Sequence, residues 1–353
     1  MAVTDDRTRQ TTRKVGGDGL ARRDWRSLDE SDVRVRPGKG SRPRTKRRPA
    51  HADAVPAMVV AVDRGRWRCA IEDDPDRIVT AMRARELGRT PIVVGDRVRL
   101  VGDVSGKPDT LARIVRVADR DSVLRRTADD TDPYERVVVA NAEQLLIVTS
   151  LADPPPRTGF IDRCLVACYT GGLEPVLCLT KADLAAPDEL LASYADLKVP
   201  FVVTRRDRDV SELVELLHNR VSALVGHSGV GKSTLVNRVV PEARLATGEV
   251  SAIGKGRHTS VSAVALPLPG GGWVIDTPGV RSFGLAHVTP DEVVEAFPEF
   301  AEAAEECPPN CGHLGAPEDP GCVLDDVVAS GNARASRLSS LRRLLASRTG
   351  VEL

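Results

Sequence analysis

The sequence predicts an α/β protein with three folded regions: a small β-barrel, a mostly parallel sheet covered by helices, and a helical C-terminal region. Three observations support this prediction. Short segments rich in β-branched residues, separated by turn residues, occupy residues 57–117. From residue 137, strand-like segments alternate with helical stretches. After about residue 286 the chain becomes helical and carries clustered Cys and His.

Composition places the chain among soluble globular proteins. Of its 353 residues, 41% are hydrophobic and 28% are charged, as expected for a protein with an apolar core. No run of 18 apolar residues occurs, so we expect no membrane-spanning helix, and residues 1–14 lack the apolar segment of a signal peptide. The odd number of Cys, seven, argues for a reducing compartment. We therefore expect a cytoplasmic protein. We also expect it to be a monomer. Four of the Cys lie in apolar segments and are expected in the core: Cys69, Cys164, Cys168 and Cys178.

The formal net charge of zero conceals two regions of opposite charge. Residues 1–50 contain 15 Lys and Arg against 7 Asp and Glu, whereas the rest of the chain contains 35 against 43. Residues 34–48 hold eight basic residues and no acidic one. Because residues 1–54 also lack apolar periodicity, we predict a disordered basic extension that contacts nucleic acid. A solubilising tail is the alternative.

Five short segments after this extension are predicted to be strands of a small barrel. Five strands within about 70 residues favour an OB-fold, which we assign to residues 55–130 and expect to bind RNA. Trp67 is the one aromatic residue in that range, so RNA contacts are expected to depend on backbone charge and shape more than on base stacking. The predicted strands are residues 58–62, 67–71, 78–80, 97–100 and 112–117.

Residues 131–288 alternate strands with helices, which favours a mostly parallel sheet with helices on its faces. Sheets of this kind bind ligands at the carboxyl ends of their strands, so the residues that follow each strand are the candidates for chemistry. The predicted strands are residues 145–148, 176–179, 200–203, 223–225 and 273–275, and the predicted helices are residues 158–169, 211–218 and 234–240.

A glycine-rich motif of the form G-x-x-x-x-G-K-[ST] follows the strand at residues 223–225. Its residues are Gly226, His227, Ser228, Gly229, Val230, Gly231, Lys232 and Ser233. Glycines let successive backbone N–H groups converge on phosphate oxygens, and the helix that follows from Thr234 adds positive potential. Lys232 is expected to reach the β- and γ-phosphates, and the Ser233 hydroxyl to bind Mg²⁺. The motif indicates a nucleoside triphosphate without specifying its base.

Thr180, Lys181, Ala182 and Asp183 follow the strand at residues 176–179. The Asp183 carboxylate can accept hydrogen bonds from guanine N1–H and from its exocyclic amine, whereas adenine presents an acceptor at N1 and lacks that amine. The aliphatic stem of Lys181 can lie along the base plane. The position of this tetrapeptide at the end of a strand therefore predicts a guanine-binding site.

Two further segments predict a site for the γ-phosphate and its magnesium ion. Asp276 and Gly279 belong to a D-x-x-G motif at the end of the last predicted strand. Asp276 is expected to hold Mg²⁺ through water, and the Gly279 N–H to contact the γ-phosphate. The D-x-x-G pattern alone is weak evidence for such a site, and its position at the end of a strand supports the assignment. In the preceding glycine-bearing segment, residues 253–260, Thr259 is the candidate second ligand of Mg²⁺, with Ser260 as the alternative.

These motifs occur in an unusual order, because the base-binding tetrapeptide precedes the phosphate loop by 46 positions. In this order, and in segments 226–237, 256–259 and 276–285, the sequence resembles the circularly permuted GTPases that act on the small ribosomal subunit, the RsgA/YjeQ family. The resemblance covers residues 57 to about 345. It implies a circularly permuted P-loop GTPase domain between an N-terminal OB-like β-barrel and a C-terminal zinc-binding helical domain. It also implies Mg²⁺-dependent hydrolysis of GTP to GDP and phosphate.

Val280 stands where many GTPases place a water-orienting Gln, just after D-x-x-G. An apolar side chain cannot orient water, so we expect slow intrinsic hydrolysis. The resemblance implies that the small ribosomal subunit is the activator. His258, beside Thr259, is the candidate water-orienting residue, and a solvated loop histidine is the alternative.

Three Cys and one His lie within 16 residues near the C-terminus: Cys307, Cys311, His313 and Cys322. Three thiolates and one imidazole complete a tetrahedral zinc site without an open position, which indicates a structural role. The set resembles the family's Cys/Cys/His/Cys site in residue type and order, although its first gap is shorter and its last gap longer. We assign residues 289–353 to this zinc-binding helical domain.

The predicted function is that of a GTPase stimulated by the small ribosomal subunit, with contacts to its rRNA and a role in its late maturation, as the resemblance implies. Two other classes fit some of the motifs. A generic P-loop ATPase or kinase would show no preference for guanine. An RNA-binding adaptor with a vestigial nucleotide site would show no turnover, although Lys232, Ser233, Asp276 and Asp183 are all present.

Overall fold

The computed structural model describes residues 51–63, 65–127, 134–243, 263–277, 284–285 and 287–348. The chain divides into two units, residues 1–50 and 51–353, and every described residue belongs to the second unit. The predicted basic extension therefore lies outside the described residues, apart from residues 51–54.

Five strands at the start of the described chain form a closed barrel. They are β1 (Val55–Asp63), β2 (Arg66–Ile71), β3 (Asp74–Arg83), β4 (Arg97–Gly102) and β5 (Ala112–Val117). The pairing runs β1-β2-β3-β5-β4 and returns from β4 to β1; β3 and β5 are parallel and the other neighbours antiparallel. Because successive side chains point to opposite faces of a strand, Val59, Leu100 and Ile114 fill the interior and are fully buried. The predicted OB-like barrel is confirmed.

A two-stranded antiparallel sheet that the sequence did not predict follows the barrel. It pairs β6 (Val123–Arg126) with β7 (Arg136–Ala140) and lies across residue 130, the predicted boundary between barrel and GTPase domain. β6 has only two apolar residues, too few to show an alternating pattern. Just beyond β6, the Thr127 N–H donates to the Gly284 carbonyl at 3.0 Å, so the chain that follows Asp276 is attached to this small sheet.

Six strands form the sheet of the central region, one more than the five predicted, because the strand at residues 264–267 was missed. They are β8 (Gln144–Ser150), β9 (Glu174–Thr180), β10 (Phe201–Val203), β11 (Val221–Val225), β12 (Val264–Pro267) and β13 (Trp273–Asp276). Their order is β10-β9-β8-β11-β13-β12, and all neighbours are parallel except β12, which pairs antiparallel with β13. All seven residues of β8 are buried, as expected for a strand covered on both faces.

Four helices cover the two faces of this sheet. They are α1 (Thr158–Gly171), α2 (Asp188–Tyr194), α3 (Ser211–Leu217) and α4 (Lys232–Val239). Ile161 of α1 and Leu190 of α2 belong to one apolar cluster, whereas Leu213 of α3 and Leu235 of α4 belong to another. The sheet is therefore the middle layer of three, which confirms the predicted α/β class.

The barrel and the central sheet are continuous. Ala61 of β1 pairs with Val264 of β12, so that the described strands of both regions, with β6 and β7 excepted, form one sheet. This pairing joins β12, the antiparallel edge strand of the central sheet, to the barrel wall. Val264 is also the register partner of Asp276, so this pairing lies beside the carboxyl end of β13. Barrel residues also approach the amino ends of β11 and β13, where they line a cavity together with Val221 and Trp273.

The C-terminal region contains α5 (Pro290–Val294), α6 (Pro298–Ala304), α7 (Leu324–Ala329) and α8 (Ala335–Arg348). The long helix α8 packs along α1, where Arg163 donates to the Ser347 carbonyl at 2.6 Å and Arg343 pairs with Asp162 at 3.1 Å. The core of this region is shared with the central sheet. Within the described part of the chain, no helix combines the length and apolar character needed to cross a membrane.

Candidate functional site

Three of the predicted motifs meet at the carboxyl ends of β9, β11 and β13. The phosphate loop follows β11, the base-binding tetrapeptide starts with the last residue of β9, and Asp276 ends β13. Because these strands are parallel and close in the sheet, the residues that follow them gather along one edge, where open α/β sheets bind their ligands.

The phosphate loop takes a backbone path that needs its glycines. Gly229 and Gly231 have φ of +85° and +93°, a left-handed region that favours glycine. A Cβ on Gly226 would lie 2.6 Å from the Val148 carbonyl oxygen of β8. The helix α4 begins at Lys232, two residues earlier than predicted, because Gly231 already supplies the turn that precedes it. The N–H groups of the first turn of α4 thus face the end of the loop.

Lys232 and Asp276 are in direct contact through Nζ and Oδ1. Each side chain is only 12% exposed, so the two charges compensate each other in a poorly solvated place. Behind them, the Thr277 hydroxyl donates to the Leu224 carbonyl at 2.5 Å, which holds the end of β13 against β11. Two residues assigned to different tasks from the sequence, phosphate binding and magnesium binding, therefore meet at one point.

The base-binding tetrapeptide is attached to the phosphate loop. The Thr180 hydroxyl donates to the Val230 carbonyl at 2.6 Å, and both residues are buried. Lys181 has a φ of +59° and its ammonium group donates to the carbonyl of Asp153, in the loop after β8. The start of the tetrapeptide is thus held both by the phosphate loop and by the loop after β8.

Asp183 is exposed at the mouth of this region. The neighbouring Ala182 N–H donates to the Thr204 carbonyl at 3.3 Å, which brings the loop after β10 to the same place. There the Arg205 guanidinium donates to the Asp207 carboxylate. This hydrogen bond raises the pKa of Arg205, and the charge of Asp183 makes a smaller contribution. Thr204 and Arg205 were not predicted as site residues, and their position after the predicted strand at residues 200–203 was the one available signal.

His227 packs on α1 within the phosphate loop. Its ring lies 4.2 Å from the Phe160 ring, centroid to centroid, at an angle of 55°. Burial lowers the pKa of His227, and the positive charge of Arg157 lowers it further. A neutral imidazole against an aromatic ring stabilises the loop by packing, so the structure supports a positioning role for His227.

The remaining predicted residues lie in the phosphate loop, at the start of α4, or outside the described residues. Ser233 is half-buried and Thr234 exposed at the start of α4, and Ser228 is exposed in the loop. The switch candidates His258, Thr259 and Ser260, together with Gly279 and Val280, lie outside the described residues.

The predicted zinc ligands form one cluster between α6 and α7. The ligand atoms of Cys307, Cys311, His313 and Cys322 all lie within 4.8 Å of one another. This spacing accommodates one tetrahedral ion, for which Zn–S and Zn–N distances are about 2.3 and 2.0 Å. Burial raises the pKa of the Cys311 thiol to about 12, so a bound cation is needed to favour the thiolate.

A carboxylate outside the predicted set orients the histidine. Asp291 Oδ1, at the start of α5, lies 3.0 Å from His313 Nε2. Nδ1 of the same ring is buried and has no hydrogen-bond partner among the described residues. An imidazole whose Nε2 is held by a carboxylate keeps Nδ1 available for a metal ion, which is the arrangement of a zinc-binding histidine. Asp319 holds the loop itself, accepting from the Gly312 and Leu314 N–H groups at 3.0 and 2.9 Å.

The other four Cys are core residues, as predicted. Burial raises the pKa of all four thiols, which makes them unreactive small hydrophobic side chains. They are Cys69, Cys164, Cys168 and Cys178.

Comparison with known proteins identifies relatives over most of the chain. The family model described as RsgA GTPase matches residues 117–286. A protein of Chlorobaculum parvum named small ribosomal subunit biogenesis GTPase RsgA is 38% identical over 282 residues, which are 77% of this chain and 90% of that protein. A protein of the same name from Gemmatimonas aurantiaca is 36% identical over 298 residues, 81% of this chain and 95% of the relative.

Solved structures show the same architecture. The crystal structure of YjeQ from Thermotoga maritima matches with a TM-score of 0.61 and 26% identity, over 85% of this chain and all of the other. The crystal structure of YloQ, described as a circularly permuted GTPase, matches in fold with a TM-score of 0.59 and 20% identity, over 86% and 98% of the two chains. The barrel, the motif order along the sheet and these relatives agree, and the chain belongs to the RsgA GTPase family.

Proposed function

We propose that this GTPase hydrolyses GTP to GDP and phosphate under stimulation by the small ribosomal subunit, and that it acts in the cytoplasm, as a monomer, in the late maturation of that subunit. The observation that carries the proposal is the meeting of the base-binding, phosphate-binding and magnesium-binding motifs at one sheet edge in permuted order. Relatives that align over most of the chain are named for biogenesis of the small subunit.

The triphosphate binds along the loop from Gly226 to Ser233. Backbone N–H groups of the loop and the start of α4 hold its oxygens, and Lys232 neutralises the β- and γ-phosphates. Asp183 reads the guanine base, with the stem of Lys181 beside it. Ser233 and Thr259 would hold Mg²⁺, and Asp276 would do so through water; the ion would neutralise the charge that develops on the phosphates.

Hydrolysis requires a water molecule oriented toward the γ-phosphate. Val280 cannot supply this orientation, and His258 is the candidate that does. Because the chain has no Gln at position 280, slow turnover in isolation and acceleration by the ribosomal subunit are both consistent with the sequence. A GTPase of this kind acts as a timer: it binds as the GTP form and leaves after stimulated hydrolysis.

The metal cluster has a structural role in this proposal. Cys307, Cys311, His313 and Cys322 would hold one Zn²⁺ with no open coordination position, which fits folding of the loop between α6 and α7 and excludes a catalytic water on the ion. The barrel at residues 55–130, the basic extension and the Arg-rich helix α8 are the proposed contacts with rRNA. Since residues 51–353 carry more acidic than basic residues, binding must depend on local basic patches.

The decisive experiment is GTP hydrolysis with and without purified small ribosomal subunits, with ATP in parallel. Stimulation of GTP turnover, with ATP not hydrolysed, supports the proposal. Turnover that does not distinguish GTP from ATP would identify a generic P-loop ATPase, and complete absence of turnover would favour an adaptor with a vestigial site. GTP turnover that the subunit leaves unchanged would retain the GTPase and remove the ribosomal role.

A further inference from the structure

Apart from the nucleotide site, a cavity of about 490 Å³ lies where the barrel meets the parallel sheet. One wall is formed by barrel residues, and the other by Val221 and Trp273, which are register partners at the amino ends of β11 and β13. The nucleotide motifs lie at the opposite ends of these strands. From Val221 to Gly226 the distance along the strand is about 16 Å, so this cavity is separate from the nucleotide site.

The size and lining of the cavity suit a small planar group. Its volume falls within the range of about 300–1,000 Å³ that ligand pockets occupy. Met58 of β1, Val221 and the half-buried Trp273 supply apolar surface. Glu72 is the one carboxylate among its described lining residues, and it is exposed.

Two arginines on the barrel wall of this cavity face each other across strands. Arg99 of β4 and Arg116 of β5 are register partners, and both are exposed. Like charges directly opposite each other in a sheet are unfavourable. The register shifts next to this pair, where Val115 is an extra, buried residue of β5, and Arg116 on the other side of the shift is exposed. The strand irregularity thus creates a repulsive pair at the surface.

No described carboxylate forms an ion pair with Arg99 or Arg116. The third arginine of the cavity, Arg97, is by contrast paired with Asp121 at 2.6 Å. Two unpaired guanidinium groups at the edge of an apolar cavity, in a body that carries 35 basic and 43 acidic residues, mark a local site for an anion. A phosphate oxygen between them would convert the repulsion into two charge-assisted contacts.

We propose that this cavity binds an unpaired nucleotide of an RNA, with its phosphate between Arg99 and Arg116 and its base against Met58 and Trp273. The proposal rests on the proposed function, which supplies the RNA. An acidic peptide would satisfy the arginines without filling the apolar part, whereas a nucleotide offers both groups at a fixed separation. The base must be unpaired because a base within a duplex has no free face for stacking. Glu72 can accept from an exocyclic amine of the base.

The test is a titration of full-length protein with a fluorescent single-stranded oligoribonucleotide of ten nucleotides, repeated at several salt concentrations. The Arg99→Ala/Arg116→Ala variant is expected to bind at least tenfold more weakly. The slope of its log affinity against log salt concentration should also become shallower by about 0.7 for each phosphate contact removed. The matched control is Arg85→Ala/Arg89→Ala, which removes two exposed arginines of the same barrel outside the cavity. Equal weakening in both variants, or none in either, would overturn the proposal.

Two further measurements complete the test. Arg99→Lys/Arg116→Lys, which keeps the charge but loses the planar fork of donors, is expected to bind with intermediate affinity, and ultraviolet crosslinking of wild type to the oligonucleotide is expected to label the peptide that contains Trp273. Crosslinks confined to other peptides would contradict the assignment.

The proposed function is tested separately, by stimulation of wild-type GTP hydrolysis with small subunits. If wild type is stimulated and the Arg99→Ala/Arg116→Ala variant reaches half-maximal stimulation at the same subunit concentration, the cavity proposal fails and the proposed function stands. If wild type is not stimulated but the oligonucleotide titration gives the expected differences, the proposed function fails and the cavity remains an RNA site.

Discussion

The Thr180 hydroxyl donates to the Val230 carbonyl at 2.6 Å, and this bond joins the base-binding segment to the phosphate loop across 50 residues of sequence. Both groups are buried, so the bond cannot be replaced by water without rearrangement. In a permuted chain, where the two loops occur in reversed order, the bond holds the base and phosphate ends of the proposed nucleotide site in register.

Thr180→Val is expected to weaken GTP and GDP binding by about tenfold, because a buried carbonyl left without its donor costs about 1–3 kcal/mol. Thr180→Ser is the matched control, since it keeps the hydroxyl and should bind nearly as wild type. Fluorescence titration with a labelled guanine nucleotide measures the effect. Equal affinity of the Val variant and wild type would show that the loops are aligned without this bond.

Asp183→Asn is expected to lower the affinity for GTP by about 100-fold or more, because two hydrogen bonds to a charged acceptor contribute about 1.5–3 kcal/mol each. The amide can donate to a carbonyl at the C2 position of the base, so affinity for xanthosine triphosphate is expected to rise. Competition binding with both nucleotides and with ATP measures the change. If Asp183→Asn retains its preference for GTP, another residue reads the base.

Asp291→Asn is expected to lower zinc affinity by about 10–100-fold, the usual effect of removing a carboxylate that orients a ligating histidine. Asp291 Oδ1 lies 3.0 Å from His313 Nε2, and the variant retains all four ligands. Competition with a chromophoric chelator measures the affinity. Glu295→Gln, a nearby exposed carboxylate on the same side of the cluster, is the control, and an equal loss in this variant would assign the effect to general charge.

Arg343→Ala is expected to lower the free energy of unfolding by about 2 kcal/mol at neutral pH. Arg343 pairs with Asp162 at 3.1 Å, and that carboxylate is nearly fully buried. Breaking a fully buried pair costs about 3–5 kcal/mol, and the figure is reduced here because the arginine is partly exposed. Arg334→Ala, at an exposed and longer ion pair with Asp196, is the control and should change stability little.

The stability lost in Arg343→Ala is also expected to depend on pH. Burial raises the pKa of Asp162, and the charge of Arg343 opposes that rise. Without Arg343 the folded-state pKa rises further above the unfolded value. A carboxyl group of this kind stabilises the fold below its unfolded pKa of about 4 and loses that contribution as pH rises through its folded pKa. The stability difference between wild type and Arg343→Ala should therefore shrink as pH falls toward 4; a constant difference would contradict this account.

Deletion of residues 1–50 is expected to reduce the salt dependence of binding to the small subunit. This segment holds 15 Lys and Arg against 7 Asp and Glu, and each phosphate contact that it makes contributes about 0.7–0.9 to the slope of log affinity against log salt. Filter binding at several salt concentrations gives the slope. An unchanged slope would identify the extension as a solubilising tail.

The sequence by itself predicted the features whose signal is local. The phosphate loop, the tetrapeptide that ends at Asp183 and the four candidate zinc ligands are short patterns in which residue type and spacing follow directly from the chemistry. The strands and helices that carry them were also predicted, because buried strands such as residues 145–148 show as apolar runs. The order of these motifs along the chain indicated the circular permutation without any knowledge of tertiary contacts.

Tertiary structure alone decided which distant residues meet. The ring closure from β4 to β1, the bond from Thr180 to Val230 and the contact of Asp291 with His313 join positions whose local sequence carries no sign of their partner. The β6–β7 sheet and the exposed position of Arg116 depend on register, which packing of the buried face sets and which no short pattern encodes. A short chemical motif can be predicted from neighbouring residues, whereas the pairing of distant groups follows from how the whole chain buries its apolar surface.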